Sequence, residues 1–162
     1  MPIRFIAAVA FVSSSLAVAA AELPRDGTDE YTTTYITTTF NTMKLGDRSI
    51  ANYDSSGVTR NDKGGPMFNN MGTRCLGQRE ATGTEPALNR GMCIDVDAEG
   101  DQVFSTYEAK GLKGVHIFVG GTGKYTGITG TADYTYNPLK GPDGKTMNIV
   151  PHVATWKLPK TQ

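Results

Sequence analysis

The sequence has no excess of charge of either sign. Its 162 residues carry 16 basic and 16 acidic side chains, so the formal net charge is zero. Proteins that hold nucleic acid through its phosphates present a basic surface, and this balance does not predict one. We therefore expect no nucleic-acid partner.

Sustained helical periodicity is also missing. No window of the chain repeats apolar residues at the spacing of an amphipathic helix, which argues against a helical bundle and against a parallel βαβ sheet. The chain contains instead 21 threonines and 19 glycines. Threonine favours strands, and glycine favours turns and bulges. The composition therefore predicts an all-β protein.

Eight segments favour strands and are separated by turn-forming sequences such as Ser55-Ser56-Gly57 and Gly141-Pro142-Asp143-Gly144. Eight short antiparallel strands must protect their edges, and closure into a barrel achieves this. We predict a single eight-stranded antiparallel β-barrel, with a sandwich of two sheets as the alternative. The long connection around 63–70 is expected to cover one barrel mouth. The predicted strands span 30–40, 48–54, 71–79, 91–97, 101–109, 113–119, 128–137 and 148–158.

Residues 1–21 have the organisation of a secretory signal peptide. Arg4 precedes an apolar segment, and Ala19-Ala20-Ala21 supplies small residues before Glu22. A transmembrane anchor would need about 20 consecutive apolar residues, and the serines at 13–15 interrupt this segment. We expect cleavage that leaves one barrel domain over 22–162, periplasmic or secreted, without a membrane span.

The chain has two cysteines, Cys75 and Cys93. An exported chain meets an oxidising compartment, where a pair of cysteines normally forms a disulfide. The segment between them is rich in turn formers, so the flanking strands can return beside each other. We predict a Cys75–Cys93 disulfide, with a catalytic thiol as the weaker alternative. Two cysteines and two distant histidines offer too few ligands to predict a metal, and we predict no cofactor.

The acidic segment Asp95–Asp101 resembles the start of a calcium loop. Oxygen ligands occupy positions one, three and five, and Gly100 occupies position six. Position twelve is Thr106, where a calcium loop needs a bidentate glutamate. The pattern therefore favours a charged, solvated hairpin over a calcium site.

Aromatic and imidazole side chains share faces of the last two predicted strands. Tyr134 and Tyr136 alternate with polar residues, and His152 and Trp156 lie on one face of the last strand. Ligand pockets mix apolar surface with a few polar groups in this way. The four residues are our candidate ligand-binding set, and ordinary core packing is the equal alternative. A lone histidine such as His116 or His152 is more often a hydrogen-bonded core residue than an acid or base.

The segment FVGGTGKYTGITGTADY, residues 118–134, resembles the signature of the allene oxide cyclase barrel and, more loosely, the GGTG segment of dirigent proteins. Its glycines predict a sharp crossing between strands, where φ is positive or backbones approach closely. The cysteine-containing segment 74–101 looks like the exported bacterial branch of this barrel group. The matching stretches cover about 72–136 and the 156–159 end. The glycines predicted to be structural are Gly120, Gly121, Gly123, Gly127 and Gly130.

The resemblance implies an eight-stranded barrel but carries no catalytic residue over to this chain. Allene oxide cyclases isomerise a fatty-acid epoxide with the help of a glutamate on an early strand, and dirigent proteins steer radical phenol coupling. The first strand here, Tyr31–Phe40, contains no carboxylate. Both families form trimers, so the resemblance points to a homotrimer.

Two classes of function follow. The first is an exported barrel that binds an apolar or phenolic small molecule in its lumen, either as a carrier or as a cyclase- or isomerase-like enzyme. The second is a non-catalytic structural or interaction module with a solid barrel core. Unequal strand faces favour the first class slightly, and the missing carboxylate favours binding over turnover.

Overall fold

Nine antiparallel strands and one short 3-10 turn, Gly123–Tyr125, make up the fold of the described residues. The computed structural model describes residues 23–141 and 143–160; the predicted signal peptide, residues 1–21, lies outside the described residues. No helix in these ranges is long and apolar enough to cross a bilayer. The strands are β1 (Asp26–Leu45), β2 (Arg48–Asn61), β3 (Met71–Thr82), β4 (Leu88–Val96), β5 (Gln102–Lys110), β6 (Lys113–Gly121), β7 (Thr129–Thr135), β8 (Asn137–Lys140) and β9 (Thr146–Lys157).

The sheet closes on itself. Each strand from β1 to β6 pairs with the next, β7 pairs with β9, and β9 pairs with β1. The four-residue β8 continues the wall of β7 along β9. The predicted eight-stranded barrel is confirmed, β8 is an addition to it, and the alternative of a two-sheet sandwich is wrong.

The turn predicted at Ser55-Ser56-Gly57 is also wrong, because β2 runs straight through it. Ser55 faces the interior, where its hydroxyl lies 2.8 Å from the Thr37 hydroxyl. A Cβ atom on Gly57 would lie 2.1 Å from the carbonyl oxygen of Thr34. The glycine therefore serves the close approach of β1 to β2, and not a reversal of the chain.

In the glycine-rich segment at the end of β6 and the start of β7, an added side chain would clash with backbone atoms at two positions. Gly130 has φ of 132°, and a Cβ there would lie 2.1 Å from the Thr155 carbonyl oxygen on β9. A Cβ on Gly121 would lie 2.4 Å from the Gln102 carbonyl oxygen. Close packing of β7 on β9 and of β6 on β5 thus depends on missing side chains at these positions.

The barrel has a closed end and an open end. Connections 62–70, 97–101 and 122–128 lie at the closed end, and the hairpin turns near 46, 83–87 and 111 lie at the open end. The segment 62–70 covers the closed end, as its length predicted, because Met67 and Phe68 are fully buried in the core. Asn61 anchors it: its side-chain amide donates to the Met67 carbonyl at 2.9 Å and accepts from the Gly65 amide at 2.9 Å.

Two clusters fill the interior, one above the other. The closed-end cluster packs the 62–70 segment against the lower ends of the strands. The second cluster, which we call the tyrosine layer, lies toward the open end and surrounds the disulfide. The closed-end cluster contains Tyr31, Met67, Phe68, Met71, Val103, Phe118, Tyr125, Ile128, Ala132, Ala154, Trp156 and Leu158. The tyrosine layer contains Tyr35, Tyr53, Cys75, Cys93, Tyr107, Ala109, Tyr134, Tyr136 and Val150.

The predicted disulfide joins β3 to β4. Cys75 and Cys93 are direct partners in the sheet register, and their Cα atoms are 4.1 Å apart. Both side chains point inward and are buried. The bond therefore fixes two neighbouring strands at the level of the tyrosine layer.

The hairpin of β1 and β2 projects beyond the open end. The pairing of β1 with β9 ends at Thr37, whereas its pairing with β2 continues to Leu45. A bulge with positive φ at Asn41 shifts the register, so that Thr42 and Lys44 lie on the inner side of the hairpin together with Thr39. The hairpin thus forms one raised wall of the open mouth.

Candidate functional site

The lumen at the tyrosine layer is filled by aromatic rings. Tyr53, Tyr107 and Tyr134 lie over inward-facing glycines, which leave room for them. A Cβ on Gly77 would lie 2.1 Å from the Tyr107 hydroxyl, and one on Gly114 would lie 2.4 Å from the Tyr134 ring. The cavity that remains in this layer is about 10 Å³. That is about the space of one water, so the lumen holds no organic ligand unless these rings move.

The structure brings three of the four predicted ligand-binding residues together. The ring centroids of Tyr134 and Tyr136 are 5.6 Å apart, and those of Tyr134 and His152 are 5.6 Å apart. Trp156 lies apart from them in the closed-end cluster, where its indole N–H donates to Asp29 at 2.7 Å. Of the four, Tyr136 also lines the open mouth.

The two histidines are packed inside the barrel. His152 stacks on Tyr31 with centroids 4.3 Å apart, and a ring nitrogen of His116 lies 3.1 Å from the Ser105 hydroxyl. Burial lowers the pKa of His116 to about 4. Burial, followed by the nearby His116, holds the pKa of His152 well below its usual value. Both rings are therefore neutral at neutral pH, which agrees with the core interpretation of these residues.

A chain of hydroxyl groups follows the inner wall across β1, β2 and β3 to Asp95 on β4. The Thr33 hydroxyl lies 2.7 Å from that of Thr59, and the Thr59 hydroxyl lies 2.7 Å from that of Thr73, which donates to Asp95. Desolvation raises the pKa of Asp95 to about 6, against the lowering effect of the two threonine hydrogen bonds. The interpretation of Asp95 as part of a solvated hairpin is therefore wrong, since β4 turns this carboxyl inward.

The remaining acidic residues of that segment are held by a lysine. The ammonium group of Lys124 lies 2.7 Å from a carboxylate oxygen of Asp97 and 2.7 Å from one of Glu99. The Asp97 side chain is 5% exposed. Lys124 thus supplies the positive charge between these carboxylates, and the charged hairpin is stabilised by ion pairs with the 3-10 turn.

The open mouth of the barrel holds a cavity of about 580 Å³. This lies within the range of small-molecule sites. Tyr53 and Tyr136 form its floor above the filled lumen, and Ala51 and Leu112 contribute apolar surface. Side chains with hydroxyl or amide groups supply hydrogen-bonding partners around the wall: Thr37, Thr39, Thr42, Ser49, Asn89 and Asn148.

The tyrosines of the floor remain neutral hydrogen-bonding groups. The Tyr107 hydroxyl donates to the Tyr53 hydroxyl at 2.7 Å, which leaves the Tyr53 hydrogen for another acceptor. Burial raises the pKa of Tyr53 above its ordinary value, and burial is also the largest cause that raises the pKa of Tyr107, Tyr134 and Tyr136. The floor can therefore donate a hydrogen bond to a ligand while its rings pack against apolar surface.

Of the described residues that line the mouth, the set predicted from the sequence contains Tyr136 alone. Ala51 and Tyr53 share one face of the predicted second strand, but no neighbouring residue indicates that this face points inward. Lys44 and Arg79 face the cavity from the ends of β1 and β3. Charged residues near a strand end carry no sequence signal for such a position, because the same pattern is typical of solvated edges.

Comparison with known proteins shows the fold. No protein-family model and no curated protein sequence matches the chain. Among solved structures, the chain is similar to a pterocarpan synthase dirigent protein with a TM-score of 0.51 and 12% identity, over 92% of this chain and 98% of that chain. The barrel is thus a dirigent-like one. The resemblance to allene oxide cyclases and to their exported bacterial branch stays a prediction from the sequence.

Proposed function

We propose that this protein is an exported barrel that binds an apolar or phenolic small molecule at its open mouth. The observation that carries the proposal is the contrast between the two spaces: about 580 Å³ at the mouth and about 10 Å³ in the lumen below. The proposed binding site therefore lies at the mouth, and not in the lumen where the sequence predicted it. Tyr136 belongs to it, Tyr134 and His152 lie beneath it, and Trp156 stabilises the closed end.

The floor suits a ligand with a ring or chain and a hydroxyl group. Such a ligand would pack on Tyr53 and Tyr136, and the hydroxyl and amide groups of the wall would bind its polar group. Dirigent proteins act on phenols, and the likeness of this barrel to a pterocarpan synthase dirigent protein favours a phenolic ligand.

Binding is favoured over turnover. The described residues that line the mouth include no carboxylate and no imidazole. The half-buried carboxyl of Asp95 belongs to the hydroxyl chain inside the barrel and is absent from that lining. Cyclase- or isomerase-like chemistry would need an acid or base in contact with the substrate, and this mouth offers tyrosine hydroxyls for that role.

Export is part of the same proposal. The buried disulfide between Cys75 and Cys93 fits an oxidising compartment. Intact mass spectrometry of the protein from its native host should find the first ~21 residues removed, the length expected of a signal peptide. A full-length chain in the soluble cytoplasm would contradict it.

The test of mouth binding is a pair of tryptophan substitutions on β2. Ala51→Trp places an indole inside the mouth, whereas Ile50→Trp places the same ring on the outer side of the same strand. A panel of phenols and medium-chain fatty compounds is titrated against the wild type by NMR. Binding that Ala51→Trp abolishes and Ile50→Trp preserves supports the proposal. A panel that shifts no resonance of the mouth overturns it.

The second candidate is an interaction module that associates with itself through its outer wall. Leu76, Met92, Thr106 and Ile117 are consecutive register partners across β3 to β6, so three apolar side chains share one outer row that Thr106 interrupts. They are exposed to between 50% and 66%. Exposed apolar surface of this kind is typical of protein interfaces. We propose it as the contact of a homotrimer.

The oligomer is tested by light scattering after size exclusion. Met92→Glu and Ile117→Lys should convert a trimer to a monomer, while Val58→Glu, on an exposed position of β2, should not. A wild-type protein that is monomeric at high concentration contradicts the homotrimer.

A further inference from the structure

The lining of the mouth has a net positive charge, whereas the formal net charge of the whole chain is zero. Lys44 and Arg79 line the cavity, and no acidic side chain belongs to the described lining. The complete chain balances 16 basic against 16 acidic residues. Two cations at one concave site, without a carboxylate beside them, therefore represent a local concentration of positive charge.

Neither cation is engaged elsewhere in the described part of the chain. Six other basic side chains lie within ion-pair distance of carboxylates, whereas no hydrogen bond or ion pair joins Lys44 or Arg79 to one. Both side chains are thus available to a ligand. The paired residues are Arg48, Lys63, Arg74, Arg90, Lys124 and Lys145.

The sheet register places both cations on the same wall. Lys44 is the partner of Ser49, and Arg79 is the partner of Ala51, so β2 lies between them. Neighbouring strands are about 4.8 Å apart, which puts the two backbones roughly 10 Å from each other. The bulge at Asn41 is needed for this arrangement, because it brings Lys44 to the inner side. Two long side chains at this separation can reach one anion.

The rest of the mouth selects for more than an anion. Tyr53 and Tyr136 form the floor, and Leu112 and Pro138 add apolar surface. A free inorganic ion would leave this surface uncovered, whereas a molecule with an apolar body and one anionic end would use both parts.

We propose that the ligand of the mouth is an amphiphilic carboxylate, aromatic or aliphatic, whose carboxylate is bound by Arg79 and Lys44. This inference rests on the proposed binding function of the mouth. The guanidinium group of Arg79 matches a carboxylate with two parallel hydrogen bonds, and Lys44 adds a second charge. The apolar body then lies on the tyrosine floor.

The experiment compares acids with their own methyl esters. 4-Hydroxycinnamate, 3-phenylpropanoate and octanoate are each titrated beside the matching ester, with acetate as a carboxylate that lacks the apolar body. We expect the acids to bind at least about tenfold more tightly than the esters, which corresponds to one charge-assisted contact. Added salt should reduce this preference, since both cations are exposed, and acetate should not bind measurably.

Substitutions of Arg79 and Lys44 test whether these two cations cause the preference for acids over esters. Arg79→Gln should abolish the preference for each acid over its ester, measured with both ligands on the same variant, and Lys44→Gln should reduce it in part. Lys157→Gln removes the same charge from the opposite end of the barrel and should preserve the preference. Arg79 and Lys44 are exposed, so their loss should leave the melting temperature within a few degrees of the wild type.

The outcomes separate the two proposals. Equal binding of acids and esters, unchanged by Arg79→Gln, overturns the carboxylate inference and leaves mouth binding standing. A preference that survives in both Arg79→Gln and Lys44→Gln also overturns it. If neither acids nor esters bind, the inference and the proposed function are both wrong.

Discussion

Gly77 lies against the side chains of Tyr53 and Tyr107, so a substitution at this glycine tests whether the lumen is filled. A Cβ on Gly77 would lie 2.1 Å from the Tyr107 hydroxyl and 2.6 Å from the Tyr53 ring. The three nearest atoms all belong to side chains, so Gly77→Ala perturbs ring packing. Alanine in a strand gains about 0.5–1 kcal/mol over glycine. Overpacking costs about 1–3 kcal/mol, and loss of the Tyr107–Tyr53 hydrogen bond costs about 0.5–1.5 kcal/mol.

We expect Gly77→Ala to lower the free energy of unfolding by about 0.5–4 kcal/mol after these terms are combined. The matched control is Gly72→Ala on the same strand, where the nearest atom to an added Cβ is a carbonyl oxygen at 4.0 Å. That substitution should be neutral or slightly stabilising. Urea denaturation with the disulfide intact measures both, and near-ultraviolet circular dichroism reports the tyrosine environment.

A double-mutant cycle identifies the cause. Tyr53→Ala alone should cost about 3–5 kcal/mol, because it opens a cavity in a packed layer. In the double variant the alanine at position 77 meets one ring fewer, so the combined loss should be smaller than the sum by at least about 1 kcal/mol. The reasoning is refuted if Gly77→Ala is tolerated as well as Gly72→Ala, since the lumen would then have room for more than these rings.

Three further measurements test other parts of the structure. Gly130→Val should destabilise strongly, because its φ is 132° and its Cβ would lie 2.1 Å from the Thr155 carbonyl oxygen; an unchanged melting temperature contradicts this. Thiol titration of denatured, unreduced protein should find Cys75 and Cys93 unreactive, and reduction should cost about 3 kcal/mol. Desolvation raises the pKa of Asp95 to about 6, so its ionisation opposes folding as pH rises from about 4 to 6. Asp95→Asn should therefore gain stability relative to the wild type over that window, by up to about 2–3 kcal/mol, and a constant difference would refute it.

Alternation along single strands allowed the inner faces to be predicted. The period of two puts His152 and Trp156 on one face of the last strand, and both are buried, as are Val150 and Ala154 on the same face. This succeeded because each strand has one face toward the interior and one toward solvent, so a period of two carries the information. The fold class followed from the number of such strands.

Features that depend on two distant segments could not be predicted. Glycine after two serines predicts a turn at Gly57, and only the approach of β1 reveals the role of this glycine. The inward turn of Lys44 depends on a bulge with positive φ at Asn41. Phe68, which closes one end, also has positive φ, a conformation that its residue type does not favour. The location of the cavity depends on which end is closed, and therefore on these positions.

The depth of the mouth cavity is set by the pairing of tyrosines with glycines. Gly77 and Gly91 are direct register partners, and the Tyr107 ring occupies the space above both. The Cys75–Cys93 disulfide lies two residues further along the same two strands and joins them at this level. The filled tyrosine layer is therefore the lower boundary of the mouth. In the proposed binding site, ligand selection then depends on the residues above this layer, on the projecting β1–β2 hairpin and on Arg79 of β3.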